Sequence, residues 1–212
     1  MADLALFDFD GTITVRETMA DFMYLAVPAR RQAWGRLLLA PWVAGYRCGV
    51  VPGVAVRAAV VRVGLTGVPV ATVQAHGVAF AAEALPALLR PEAVMRIRWH
   101  QARGDTVAVV SGGLDAYLAP WCRAHGLALV CSALEDRHGR LTGRYRGAQC
   151  VGEEKARRVR ARYELARFGR VYAYGDTHED LALLALAHHR FYRGQELPAH
   201  GERVSRPRPA TR

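Results

Sequence analysis

The chain has 212 residues, of which 51% are hydrophobic and 23% charged, and it carries a formal net charge of +10 at pH 7. This length allows one α/β domain with a smaller insertion. No segment offers the roughly 20 predominantly apolar residues that a bilayer-spanning helix needs, which argues against an integral membrane protein. The four cysteines lack C-x-x-C spacing, which argues against zinc and favours structural thiols in a reducing compartment.

The first predicted element is a buried strand at residues 3–9, which delivers two carboxylates, Asp8 and Asp10, on either side of Phe9. Ligands of open α/β sheets bind at this end of a strand. One carboxylate there can attack phosphorus while the other handles the proton, and both can help hold a divalent cation. A simple Asp-Gly turn explains the same residues equally well when the segment is taken alone. No basic or cleavable apolar segment precedes the strand, so we expect a cytoplasmic protein.

Residues 16–85 break the alternation of strands and helices and are predicted to form a helical cap, inserted into a core of residues 1–15 and 86–193. An apolar and aromatic stretch at 37–46 has two interpretations. It packs against neighbouring helices, which is the commoner outcome, or it contacts lipid headgroups at an anionic membrane surface.

A second strand, predicted at residues 105–110, opens into Ser111, Gly112 and Gly113. A hydroxyl and unhindered backbone N–H groups at the end of a strand can form a nest for phosphate oxygens. A strand-to-helix turn with Ser111 as the helix N-cap is an equally good interpretation of this motif alone.

Two further motifs complete the candidate site. Lys155 stands near the start of a predicted helix, from which it can reach a phosphate or a nucleophilic carboxylate, although a lone lysine is usually solvated. The predicted strand at 171–175 ends in Asp176, and Asp180 follows four residues later. Mg²⁺ prefers few carboxylates together with waters and phosphate oxygens, so both are candidate ligands or supports of a metal site. A capping box between Thr177 and Asp180 is compatible with the same role.

The remaining periodic segments complete an alternating pattern that predicts a Rossmann-like parallel sheet flanked by helices, with the small helical cap inserted. They are strands at 126–131 and 189–193 and helices at 114–125, 153–167 and 178–187. The arginine- and proline-containing tail at 194–212 is predicted to be flexible.

The order of these motifs resembles that of the haloacid dehalogenase superfamily of phosphohydrolases. The matching residues are Asp-x-Asp-Gly-Thr at 8–12, Ser-Gly at 111–112, Lys155 and Gly-Asp-x-x-x-Asp at 175–180. The resemblance is greatest to the phosphoserine-phosphatase-like branch, which carries a helical cap between the first and second motifs. Dehalogenation needs no proton donor for its halide leaving group, so Asp10 favours phosphate esters.

The resemblance implies a role in the reaction for residues of each motif. Asp8 would be the nucleophile that forms an aspartyl-phosphate, and Asp10 would be the general acid and base. Ser111, Gly112 and Lys155 would bind the phosphoryl group.

The resemblance also implies a Mg²⁺ cofactor. Asp8, the Phe9 carbonyl and Asp176 would hold the ion, with Asp180 as a ligand or a support behind it. Asp10 would be a weaker ligand.

Two substrate classes stay open from the sequence. Glu17 matches the position of a glutamate that reads the substrate amine in phosphoserine phosphatases, which favours a small polar phosphomonoester such as phosphoserine. Residues 150–155 and the apolar cap are similar to bacterial phosphatidylglycerophosphate phosphatases, which favours a lipid phosphate.

The basic charge opens a third hypothesis, a binder of nucleic acid or of a membrane surface that has lost the chemistry. Several arginines cluster on the predicted helix at 153–167. No RNA-binding motif or recognition helix accompanies them, so we expect no nucleic-acid partner.

Overall fold

The structure is a computed structural model that describes residues 1–198. Its strands form a six-stranded sheet and a two-stranded hairpin. The sheet contains β1 (Leu4–Phe7), β2 (Thr106–Leu114), β3 (Ala128–Ser132), β6 (Val171–Gly175), β7 (His189–Tyr192) and β8 (Gln195–Glu196). The hairpin consists of β4 (Leu134–Arg137) and β5 (Arg140–Tyr145).

The helices cover both faces of the sheet and form the insertion. They are α1 (Met19–Ala26), α2 (Ala29–Arg47), α3 (Gly53–Leu65), α4 (Val70–Ala79), α5 (Pro91–Ala102), α6 (Asp115–Ala124), α7 (Glu153–Arg162) and α8 (Leu181–Leu184). Shorter helical turns lie at Phe80–Ala84, Leu85–Leu88, Leu165–Arg167 and His178–Asp180. No helix within the described residues is long and apolar enough to cross a membrane.

The sheet runs in the order β3-β2-β1-β6-β7-β8, and all of its pairings are parallel except that of β7 with β8. β1 is central, and its residues alternate between the two faces. Leu4 and Leu6 belong to one buried cluster, whereas Ala5 and Phe7 belong to the other. A strand that is covered on both faces reads as a continuous apolar run, which is why its sequence predicted it well. The predicted fold class is confirmed.

Several predicted boundaries were wrong. The helix predicted at 153–167 ends at Arg162, because Tyr163 adopts an extended backbone and packs against the cluster that contains Leu4. The helix predicted at 178–187 consists of a short 3₁₀ turn followed by the four residues of α8.

The β4–β5 hairpin was not predicted. Its turn contains His138 and Gly139, both with positive φ, a geometry that matches the twist of a tight hairpin. Leu134 and Leu141 are its buried apolar side chains, and the charged residues between them hide the alternation typical of a strand.

The tail predicted at 194–212 begins too early. Gln195 and Glu196 pair with β7 as an antiparallel edge strand, and the Leu197 N–H donates to the Arg190 carbonyl. The rest of the predicted tail, residues 199–212, lies outside the described part of the chain.

Packing crosses the boundaries predicted for the cap. α4 belongs to the predicted insertion, yet it packs against α6, and at Gly77 a Cβ would lie 1.9 Å from the Ala116 carbonyl oxygen. Conversely, β5 comes from the predicted core and packs against α3. Both α3 and α4 therefore pack against elements of the predicted core, whereas α2 packs mainly against α3.

Candidate active site

A cavity of about 210 Å³ lies at the C-terminal ends of the central strands. It brings together most of the residues that the sequence singled out: Asp8, Asp10, Glu17, Ser111, Gly112 and Lys155. Asp176 does not line this cavity; it lines a second cavity of about 560 Å³. Asp180 contacts Lys155 from below. Four segments that are far apart in sequence thus converge on one site.

Lys155 is the centre of the charge arrangement. Its side chain is buried, and its ammonium lies 2.5 Å from Asp8 Oδ1 and 2.5 Å from Asp180 Oδ1. Burial by itself would lower the pKa of Lys155, but the two carboxylates outweigh that effect and hold its pKa above the ordinary value. The lysine is therefore a fixed positive charge beside Asp8.

A sequence signal for this residue was overlooked. The chain has 29 basic residues, and Lys155 is its single lysine, because the other 28 are arginines. A composition so strongly biased toward arginine makes a retained lysine informative. An ammonium is compact and can sit between two carboxylates, where the broad guanidinium fork does not fit as easily.

Asp10 is held by Thr18. Asp10 Oδ1 accepts hydrogen bonds from the Thr18 backbone N–H at 2.8 Å and from the Thr18 hydroxyl at 2.6 Å. Burial and the negative charge of Glu17 raise the pKa of Asp10 to about 7, although the Thr18 bonds oppose the shift. A carboxyl group with such a pKa can give and take a proton near neutral pH.

Thr18 was missed at the sequence level. It is fully buried at the start of α1, and its hydroxyl lies 3.2 Å from the Tyr117 hydroxyl on α6. The insertion thus contributes directly to the candidate site, because the residue that holds Asp10 precedes the first helix of the cap.

The structure excludes one of the two alternatives that the sequence left open for Ser111. β2 continues through Ser111 to Leu114 with a register shift against β3, and α6 begins only at Asp115. Ser111 is therefore not the helix N-cap. Its Oγ accepts a hydrogen bond from the Gly113 N–H at 3.0 Å, which leaves the hydroxyl proton free to donate. Gly112 is partly exposed at the cavity wall.

Asp176 is packed closely against the loop that follows β1. Gly11 has a φ of +79°, and a Cβ built there would lie 2.3 Å from Asp176 Oδ2. Thr12 Oγ1 donates to Asp176 Oδ1 at 3.2 Å. Burial and the nearby Asp180 carboxylate raise the pKa of Asp176. The glycine in Asp-x-Asp-Gly is thus required both by its backbone conformation and by the approach of this carboxylate.

Asp180 has its oxygens fully engaged. Oδ1 accepts from Lys155, whereas Oδ2 accepts from the Asp176 N–H and from the N–H and hydroxyl of Thr177. The predicted capping box is therefore present, and it coexists with a role in the site. The hydrogen bonds and Lys155 outweigh burial and lower the pKa of Asp180. Asp180 orients the loop of Asp176 and the lysine.

The donor set fits a hard divalent cation. Carboxylate oxygens of Asp8, Asp176 and Asp180 lie within 4.8 Å of one another. Burial and the Asp180 charge raise the pKa of Asp8 against the opposing effect of Lys155. A cation would favour the ionised forms of these crowded carboxylates, and oxygen ligands are those that Mg²⁺ prefers.

The prediction that the Phe9 carbonyl is a Mg²⁺ ligand was wrong. That oxygen accepts hydrogen bonds from the Ile13 N–H, the Thr14 N–H and the Thr14 hydroxyl, so it closes the loop after β1. The Asp10 carboxylate, held by Thr18, also lies outside the group of oxygens that could share a metal ion among the described residues.

The comparisons with known proteins agree with this geometry. The family of haloacid dehalogenase-like hydrolases matches residues 5–185. The chain belongs to this family. The resemblance inferred from the motifs is therefore confirmed, and with it the assignment of the protein as a hydrolase.

Individual relatives place this hydrolase more closely. It is 36% identical to Protein CicA of Caulobacter vibrioides over 197 residues, which cover 90% of the chain and 85% of that protein. It is 32% identical to the histidinol-phosphatase of Neisseria meningitidis over 114 residues, about half of each chain. A substrate-bound phosphoserine phosphatase structure has a similar fold, with a TM-score of 0.65, 21% identity and coverage of 91% of this chain and 86% of that one.

Residues of the insertion line part of the hydrolase's cavity. Glu17 and Tyr46 are exposed there, and Arg57 also lines the cavity. Arg57 pairs with Glu179 at 2.9 Å and donates to Gln149 at 3.0 Å. Enclosure by the cavity walls raises the pKa of Glu17, although Arg57 opposes the shift. No hydrogen bond or ion pair within residues 1–198 engages the Glu17 carboxylate.

Two arginines support the catalytic loops of the hydrolase from outside and were missed at the sequence level. Arg90 donates through Nε to the carbonyls of Gly11 and Thr14, and Arg193 donates through Nε to the Asp176 carbonyl. Both belong to segments without a recognisable motif, so only the fold reveals their position.

Proposed function

We propose that the protein is a Mg²⁺-dependent phosphomonoester hydrolase that works through an aspartyl-phosphate on Asp8. The observation that carries this proposal is the relation of Asp8 to its neighbours. A buried lysine lies 2.5 Å from the Asp8 carboxylate, and a second carboxyl group on the same loop, Asp10, has a pKa of about 7. A nucleophile beside a proton donor suits a phosphate ester, whose leaving alkoxide needs a proton.

In the first step, an Asp8 carboxylate oxygen attacks phosphorus, and the bond from phosphorus to the ester oxygen breaks. Asp10 gives its proton to the departing alkoxide. In the second step, Asp10 takes a proton from a water molecule that attacks the aspartyl-phosphate. The bond between Asp8 and phosphorus breaks, which releases inorganic phosphate and restores both carboxyl groups.

The remaining residues neutralise and orient the phosphoryl group. Lys155 supplies a positive charge, and Ser111 and Gly112 offer hydroxyl and backbone donors at the cavity wall. Asp8 and Asp176 would hold Mg²⁺, with Asp180 behind them, and the bound ion would neutralise phosphate charge and align the phosphoryl group for attack. Phosphoryl transfer depends mostly on such charge neutralisation and positioning.

For the substrate we propose a small phosphomonoester with a cationic or hydroxyl group near the phosphate, of the phosphoserine type. Glu17 supports this choice, because its carboxylate faces the cavity without a partner among the described residues, whereas Arg57 is already paired with Glu179. An ammonium group of the substrate would provide the missing partner. The names of the phosphatase relatives agree with a small phosphorylated substrate.

A lipid-linked phosphate is the second candidate, favoured by the exposed apolar residues of α2 beside the cavity mouth. A role as a nucleic-acid binder has less support. Three of the four arginines of α7 that suggested it are engaged within the protein. Arg157 and Arg158 pair with Glu154, Arg158 also donates to the carbonyls of Cys131 and Ala148, and Arg162 donates to that of Leu129.

The test is phosphate release from a panel of phosphoserine, sugar phosphates, nucleotides and phosphatidylglycerophosphate in micelles, with and without Mg²⁺. We expect release that requires Mg²⁺ and disappears in the Asp8→Asn variant. Glu17→Gln should then weaken hydrolysis only of amine-bearing substrates. Asp21→Asn is a matched control, because Asp21 pairs with Arg16 on the surface. Absence of release from every member of the panel would overturn the proposal.

A further inference from the structure

The α2–α3 hairpin carries an uncovered row of large apolar side chains. Within α2, Gly35 is the single buried residue, and the helix packs mainly against α3. The exposed row, here called the apolar stripe, consists of Trp34, Leu37, Leu38, Trp42 and Tyr46. Four of these residues follow one another at intervals of four, which places them along one side of the helix.

The exposure of the stripe is large. Trp34 is 70% exposed, Leu37 68% and Leu38 59%. Soluble proteins seldom leave contiguous aromatic and aliphatic side chains uncovered, and such patches mark interaction sites. The packing alternative for this stretch, favoured at the sequence level, does not hold for these side chains.

The segment that carries the stripe has charges of one sign. From Phe22 to Ala82 the chain contains no aspartate or glutamate, yet it contains six arginines. Arg31 and Arg57 bind partners within the protein. The other four are exposed and form no ion pair within residues 1–198: Arg30, Arg36, Arg47 and Arg62. The surface of the hairpin is therefore apolar and cationic together.

This combination separates the possible occupants. A second copy of the chain on the same face would bring arginines against arginines with no carboxylate in the segment to compensate them. An anionic bilayer surface satisfies both properties, because Leu and Trp enter the boundary of the acyl chains while the arginines meet lipid phosphates. Trp and Tyr are the residues that favour this interface.

We propose that the apolar stripe and its arginines dock the protein on the surface of a membrane that contains anionic lipids. Tyr46 belongs to the stripe and also lines the catalytic cavity, so docking would bring the mouth of that cavity to the lipid surface. The consequence for catalysis rests on the proposed function, whereas the docking itself does not.

The test is co-sedimentation of the full chain with phosphatidylcholine vesicles, with and without phosphatidylglycerol. We expect binding that needs phosphatidylglycerol, weakens with salt and shifts tryptophan emission to the blue. The double variant Leu37→Glu, Leu38→Glu should bind at least about tenfold more weakly. Met95→Glu is the matched control, because Met95 is 63% exposed on α5, outside the hairpin, and should leave binding unchanged.

A second pair of variants tests the charge. Arg36→Gln with Arg47→Gln should weaken binding about tenfold or more, whereas Arg98→Gln with Arg137→Gln, also exposed, should have little effect. Equal binding to both vesicle types, or unchanged binding of the leucine variant, would overturn the proposal. A dimer that the leucine variant dissociates, without vesicle binding, would assign the face to a second copy instead.

Hydrolysis of soluble p-nitrophenyl phosphate separates this proposal from the preceding one. The leucine variant should retain that activity, since neither residue lines the cavity. Vesicle binding without hydrolysis of any phosphomonoester would leave docking intact and overturn the enzymatic proposal. Hydrolysis without vesicle binding would do the reverse.

Discussion

The ammonium of Lys155 lies 2.5 Å from the Asp8 carboxylate at the buried floor of the catalytic cavity. The same ammonium lies equally close to Asp180, so one positive charge serves two carboxylates. This arrangement holds the proposed nucleophile in place before substrate arrives. The site still has an excess of negative charge, which a bound divalent cation would neutralise.

Replacing Lys155 by Gln should affect both stability and activity. Asp8 and Asp180 would stay buried without a counter-charge, and breaking a buried pair in this way costs about 3–5 kcal/mol. We expect the free energy of unfolding in urea to fall by that order and phosphate release to be lost. Mg²⁺ should stabilise the variant more than the wild type. Arg157→Gln, which removes an exposed charge on the same helix, should change neither property strongly.

Because Lys155 is the single lysine, its pKa can be measured without ambiguity. A protein labelled with ¹³C at the lysine Cε gives one side-chain resonance. Asp8 and Asp180 hold the pKa of Lys155 above its ordinary value, so this resonance should show no titration up to about pH 10.4. Titration of the folded protein below that pH would contradict the buried ion pair.

Gly11→Ala should impair catalysis more than folding. The substitution puts a side chain at a φ of +79° and within 2.3 Å of the Asp176 carboxylate, so either the loop or Asp176 must move. Strain of this kind costs about 1–3 kcal/mol. Phosphate release should fall strongly, and the Mg²⁺ concentration needed for half-maximal rate should rise. Gly147→Ala, at a φ of +77° with open space around it, is the control that strains the backbone alone.

The sequence predicted that three of the four motifs lie close together, because each of these three is found at the C-terminal end of a buried strand. In β1, β2 and β6 the apolar runs identify the strand, and parallel pairing brings their C-terminal ends to one edge. Ser111 and Asp176 could therefore be assigned to one site across many intervening residues. Short-range patterns carry this information.

The surroundings of the site could not be predicted in the same way. Thr18 and Arg57 reach it from the insertion, and Arg90 and Arg193 support it from segments without motifs. Their roles depend on how α1 and α3 pack on the core, which no local pattern encodes. The prediction that the Phe9 carbonyl is a metal ligand was wrong for a related reason, since the orientation of this carbonyl depends on the turn that Thr14 closes.

The contribution of His100 to stability should be lost in acid. This side chain is fully buried between Asp105 and the Tyr174 hydroxyl, and burial lowers the pKa of His100 despite the contact with Asp105. The unfolded chain therefore binds a proton at a higher pH than the native protein does. The contribution of neutral His100 to stability is fully present above the pKa of this residue in the unfolded chain, about 6.5, and is lost as the pH falls below that value.

The measurement is the free energy of unfolding in urea at several pH values between about 7.5 and about 5.5, one unit above and below that pKa. His100→Gln removes the titrating group, so the stability of the variant relative to the wild type should rise as the pH falls through this range. His125→Gln, at the exposed end of α6, should follow the wild type. Parallel curves for the wild type and His100→Gln would contradict the assignment.

Asp10→Asn should reveal the proton transfer through the leaving group. An alkyl phosphate needs a proton on its departing oxygen, so its turnover should fall by about 10²–10⁴-fold. p-Nitrophenolate leaves without a proton, so the variant should still transfer phosphate to Asp8. The second step lacks its base, and the aspartyl-phosphate should accumulate. Rapid mixing should therefore show a burst of about one p-nitrophenol per protein, followed by slow turnover.

Thr18→Val is the companion variant for this experiment. It removes the hydroxyl bond to Asp10 and keeps the backbone N–H bond at 2.8 Å. Because the hydroxyl bond opposes the rise in the pKa of Asp10, its loss should move that pKa above about 7. Asp10 must be protonated in the first step, so the fall in activity toward alkaline pH should begin at higher pH. An equal loss for both esters in Asp10→Asn, with no burst, would remove Asp10 from the proton transfer.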